Sequence, residues 1–191
     1  ASPKTTVSPM TAADEAIAYL RETFGDATAE ADGLTNAERA AWVRARLARP
    51  LRVCGVVRNE GEPGGGPFWV RGRDGRLSRQ IVESAEVNLE DPAQKKTWAS
   101  STHFNPVDLV VSLRDASGRP WDLFRFVDHD AVFVSRKSHG GVELLALERP
   151  GLWNGAMAFW NTLFVEVPIE TFAPVKTVLD LLRPEHRTEA E

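Results

Sequence analysis

The chain has 191 residues, enough for one sizeable domain with a real hydrophobic core. Hydrophobic residues make up 42%, and 27 acids against 23 lysines and arginines give a formal net charge of -4. That balance excludes a general polyanion-binding surface, so nucleic acid is not an expected partner. No apolar stretch approaches the roughly 20 residues of a membrane helix, so no membrane association is expected. The single cysteine, Cys54, can build neither an internal disulfide nor a structural zinc site, and this thiol usage fits a cytoplasmic protein. Ala1-Ser2-Pro3-Lys4 carries no signal-peptide pattern, and the chain is expected to be a trimmed protein or a fragment.

Residues 1–50 read as a helical hairpin or linker. Thr11 with Asp14 and Glu15 opens a helix whose stripe is Ala16, Ile17, Leu20 and Phe24, and Gly25 stops it. Residues 27–33 read as a loop. Thr35 and Glu38 have the capping-box spacing, and Ala41, Trp42, Ala45 and Leu47 continue a second helix that Pro50 ends. Residues 51–191 read as a mixed α/β domain. Its β-rich runs are 51–57, 68–71, 80–87, 109–113, 123–127, 131–134, 142–147 and 163–167. Hairpin tips are expected at Asp74-Gly75 and Ser117-Gly118, and a further turn at His139-Gly140-Gly141. Residues 152–160 fit a short helix with Trp153, Met157 and Trp160 on one face, either buried or stacked on a sugar. A last helix spans 178–182.

Several constellations could carry chemistry. The loop from Gly61 to Pro67 holds four glycines and reads either as a long hairpin connection or as a backbone nest touching phosphate or sugar. It has neither the Walker A nor the dinucleotide pattern. Asp128-His129-Asp130 is the one dense acid–imidazole cluster, but consecutive strand residues alternate faces, so it reads as a polar strand end. Glu83, beside Ile81, could accept hydrogen bonds from sugar hydroxyls, and Lys176 precedes the last helix where an anion is favoured.

Two segments read together raise a resemblance. Cys54-Gly55-Val56-Val57 followed by Gln80-Ile81-Val82-Glu83-Ser84-Ala85-Glu86-Val87 resembles the strand pair of UDP-N-acetylhexosamine pyrophosphorylases. Val165-Glu166-Val167-Pro168, with Phe172-Ala173-Pro174-Val175-Lys176 running to Leu182, is similar to the closing motif of UTP–glucose-1-phosphate uridylyltransferases. Leu51 to His186 resembles an uncharacterised bacterial branch of that superfamily.

The resemblance implies a GT-A-like nucleotidyltransferase-type mixed sheet, here its C-terminal part behind the helical hairpin. It implies the joining of a nucleoside triphosphate to a sugar 1-phosphate, with release of pyrophosphate and with Mg²⁺. Lys176 matches the lysine that contacts phosphate and Glu83 the glutamate that binds sugar hydroxyls. Asn105 is the nearest match to a sugar-binding asparagine, and Gly64, Gly65 and Gly66 are expected to border the substrate. The phosphate-cradling glycine loop and the Mg²⁺-binding acid of those enzymes have no match, so the metal ligands are expected outside this chain. The reading is therefore a sugar-phosphate-binding part paired with a nucleotide-binding half or a second copy. The alternative is a non-catalytic ligand-binding or interaction domain that keeps the fold.

Overall fold

The computed structural model describes residues 11–25, 28–62, 64–172, 175 and 177–187. Helix α1 (Ala12–Phe24) begins as the sequence predicts: the Thr11 hydroxyl accepts from the Asp14 N–H while the Asp14 carboxylate accepts from Thr11. Gly25 ends it at φ 66, where a side chain would also strike Trp69. Helix α2 (Asn36–Leu47) has the same reciprocal cap between Thr35 and Glu38. Its buried residue is Val43 rather than the expected Leu47, which is exposed. Between the helices, 28–31 is a 3₁₀ turn instead of open loop.

Strand β1 (Leu51–Arg58) is the axis of the domain. It pairs antiparallel with β4 (His103–Phe104) and β5 (Leu109–Ser112), and parallel with β8 (Asn161–Glu166), so the sheet is mixed. Alternation along β1 sends side chains to two covered faces. On one, Leu51 packs with Leu163 of β8 against the helical hairpin core of Ile17, Leu20, Phe24, Ala31 and Val43. On the other, Cys54 and Val56 meet Ile81 and Trp153, flanked by Leu109 and Phe164. The layers are thus helices, central sheet, and then a second β layer with the 151–160 segment.

That second layer is the hairpin of β2 (Gly66–Arg71) and β3 (Leu77–Val82), turning at Gly72–Gly75 as predicted. A separate hairpin, β6 (Phe133–His139) with β7 (Val142–Glu148), turns at the predicted glycine pair. Its Val134, Leu145 and Leu147 are exposed.

Three expectations fail for local reasons, and one helix is unforeseen. Residues 83–87 are not strand: β3 stops at Val82 and 84–86 form a 3₁₀ turn held by the Glu86 N–H on the Glu83 carbonyl. Residues 123–126 are likewise a 3₁₀ turn. Residues 151–160 are successive turns rather than a helix, because Gly155 sits at φ 98 and Asn154 bonds back to Gly151. Trp153 and Trp160 are buried all the same. Finally, helix α3 (Pro92–Ala99), capped by the Asp91 carboxylate on the Ala93 N–H, falls where no element is expected.

Candidate functional site

Beyond the end of β3 the chain turns away at Glu83 and leaves a cavity of about 450 Å³. Gly64, Gly65, Glu83 and Asn105, from three separate segments, all line it. The glycine loop reaches this place because Gly65 has no side chain. A Cβ there would lie 2.8 Å from Ile81 Cγ2 and 3.1 Å from the Val82 carbonyl. The Gly65 carbonyl accepts from the Asn105 N–H at 2.8 Å, which fastens the loop to the segment after β4.

Asn105 is 4% exposed, and its amide is committed to the backbone. Its Nδ2 donates to the Gly55 carbonyl at 2.6 Å, and its Oδ1 accepts from the Val107 N–H at 2.9 Å. It thereby pins Val107 at φ 69, a left-handed conformation that a β-branched residue rarely adopts. Gly66 lies apart from the cavity, packed against the His103 carbonyl and Ser101 Oγ. Lys176 lies outside the described residues.

Phe104, Phe172 and Trp153 supply apolar walls, with Phe104 and Phe172 edge to face at 5.9 Å. Glu62 and Glu83 supply the charge, and no lysine or arginine lines the cavity among the described residues. Such a lining accepts hydrogen bonds from neutral hydroxyls and repels a phosphate group. Glu86, next to Glu83, has a carboxyl that burial pushes above its ordinary value.

The acid–imidazole cluster is dispersed. Asp130 pairs with Arg73 at 2.7 Å, and Asp128 accepts from the Asp130 N–H. Among the described residues no three histidine, cysteine, aspartate or glutamate side chains come together as metal ligands. The described residues therefore offer no Mg²⁺ site. Cys54 is buried, and that burial pushes its thiol upward, away from reactivity.

Arg52, to which no sequence motif gives a role, is fully buried on β1 beneath Trp153. Its signal is phase: Arg52 shares the alternation of Cys54 and Val56, which places a cation on a core-facing row.

Two solved structures similar to the chain are variants of UDP-glucose pyrophosphorylase from Leishmania major, each in complex with UDP-glucose. Both are 21% identical with TM-score 0.39, and cover 80% and 78% of this chain. The chain spans 34% of each of them, about a third of their length. No curated protein matches the sequence. The model of the family described as a domain of unknown function, DUF4301, matches residues 5–187, and the chain belongs to that family.

Proposed function

We propose that the chain is the sugar-phosphate-binding part of a nucleotidyltransferase-like protein with a GT-A-like core, and that the cavity at Glu83 takes the sugar. One observation carries this reading: Gly64, Gly65, Glu83 and Asn105, chosen from sequence motifs, line a single cavity with aromatic walls. Glu83 would accept from sugar hydroxyls while Phe104 and Phe172 cover the apolar ring face. Asn105 would act through the backbone, by holding the strained Val107 turn at the rim. The phosphate belongs outside this acidic cavity, and Lys176 is the residue proposed to meet it. Catalysis in the complete protein would rest on positioning and charge neutralisation during in-line attack on the nucleotide.

Calorimetric titration of the chain with glucose 1-phosphate and UDP-glucose tests the reading. Glu83→Gln is expected to weaken binding about tenfold, the loss of one charge-assisted hydrogen bond. Equal affinity for both chains would remove Glu83 from the site and the proposal with it. Turnover is expected to need a nucleotide-binding partner. Pyrophosphate released from UTP and glucose 1-phosphate by residues 1–191 alone would overturn the division of labour.

A further inference from the structure

A second place in the chain collects buried donors that have nothing to donate to. Arg52 is 0% exposed. Its Nε donates to Thr162 Oγ1 at 2.8 Å and its Nη2 to Gln80 Oε1 at 2.6 Å, but Nη1 has no acceptor. Neither bonded partner is charged, and no carboxylate pairs with the guanidinium among the described residues. A guanidinium stays protonated in proteins, so burial cannot be relieved by losing the charge. Buried charges are ordinarily paired, and an unmatched one is strongly unfavourable. Trp160, 6% exposed, has an indole N–H that is likewise buried and without an acceptor.

The Trp160 indole lines a cavity of about 380 Å³, and the Arg52 guanidinium lies behind its wall. Thr162, Gln80 and Trp153, which enclose the Arg52 guanidinium, line this cavity, and so does Trp160. Arg46, Arg49, Arg76 and Arg79 line it too. Arg46 and Arg76 share Glu30, at 3.6 and 2.5 Å, whereas Arg79 donates to the Thr23 carbonyl and stacks on Trp69. The opposing carboxyls are Asp74, which pairs with Arg76 at 3.5 Å, Asp128, Glu86 and, beyond the lining, Glu30, and burial shifts Glu86 toward its neutral form. Four guanidiniums at the wall and a fifth one side-chain layer behind it thus face four carboxyls, which leaves a small positive excess.

We propose that this cavity binds a small oxyanion, carboxylate or phosphate, which supplies the counter-charge for Arg52 and the acceptor for the Trp160 indole. Burial away from water lets the Arg52 charge act on the cavity across Gln80, Thr162 and Trp153 without direct contact. The site is separate from the acidic cavity at Glu83, and Trp153 alone lines both.

The test uses the whole chain, melted in sodium phosphate and in sodium succinate against sodium chloride of equal ionic strength, with affinities from calorimetry. The natural chain is expected to melt higher in at least one of the two anions, and the one that acts identifies the oxyanion. Arg52→Met is expected to melt as high or higher in chloride, because it removes an unmatched charge, and to bind the anion at least tenfold more weakly. Trp160→Phe is expected to lose affinity severalfold. Equal affinity in the natural chain and Arg52→Met overturns the proposal, as does failure of both anions to bind at tens of millimolar. An Arg52→Met chain that melts lower in chloride overturns it as well. Should that variant fail to fold, unchanged affinity in Trp160→Phe does the same.

Discussion

The cavity at Glu83 and the cavity in front of Arg52 share Trp153 as a wall, yet their linings oppose each other electrostatically. The first holds Glu62 and Glu83 with no cation among its described lining residues; the second holds four arginines. The difference follows from topology rather than from local composition. β3 contributes Ile81 and Val82 to the arginine side, and the turn after Val82 then delivers Glu83 to the other. Had 83–87 continued as strand, Glu83 would have stayed on the hairpin surface. Ending β3 one residue earlier than the acid is what separates a place suited to hydroxyls from one suited to anions.

The harshest way to break the contrast is to remove the shared wall. Trp153 is 8% exposed and packs on Cys54, Val56 and Ile81. Trp153→Ala is expected to destabilise by about 3–5 kcal/mol, read from urea denaturation, and to weaken ligands of both cavities together. Binding lost on one side only would show that Trp153 is not a common wall.

Gly65→Ala should act mainly on the acidic side, which Gly65 itself lines. Its new methyl would press on Ile81 and the Val82 carbonyl, so about 1–3 kcal/mol of stability is expected to go, with the Glu83 turn displaced. A chain with unchanged urea midpoint would mean that the loop moves aside freely.

Val107→Gly sharpens the comparison in the opposite direction. A left-handed β-branched residue costs about 1–3 kcal/mol, while glycine adds roughly 0.5–1 kcal/mol of unfolded-state entropy. A net gain of about 0.5–2 kcal/mol is expected, together with weaker sugar binding. Gain in stability with unaltered binding would make the strain incidental.

The sequence carries the caps of both helices, the axis β1 and three turns, because those rest on interactions within a few residues. Thr11 and Asp14, or Thr35 and Glu38, need nothing beyond their own turn. It carries the residues at the acidic cavity only through motifs; no local pattern announces that Gly65 and Asn105 will bond across 40 positions of chain. Helix α3 escapes periodicity because it has no buried residue, so no apolar stripe exists to find. Trp153 and Trp160 have helical spacing but are buried by turns, since Gly155 takes a backbone conformation no helix allows. Arg52 is legible in phase but not in partner, for its companions Gln80 and Thr162 lie 28 and 110 residues away.

The smallest expected effect concerns Glu86, the carboxyl that touches both halves of the comparison. It lines the arginine cavity, while its Oε2 accepts from the N–H of Glu83 at the acidic one. Burial, and secondarily the charge of Glu83, push its carboxyl above the ordinary value, against the pull of that hydrogen bond. A raised folded-state value means that the native chain holds the proton more tightly than the unfolded chain does. The associated stability is present below the unfolded value near 4.5 and is lost as pH rises through the raised one. Glu86→Gln removes that titration and keeps an acceptor for the Glu83 N–H. Melting both chains from about pH 4 to about pH 8 should therefore show the variant gaining on the natural chain as pH rises. Titration of the anion itself is common to both chains, so the natural chain's affinity should match the variant's on the acid side and fall below it as pH rises and Glu86 ionises. Parallel melting curves at every pH would show that Glu86 ionises in the folded chain as it does in the unfolded one. The arginine cavity would then keep a third full carboxylate, and its positive balance would be smaller than the buried state of Glu86 implies.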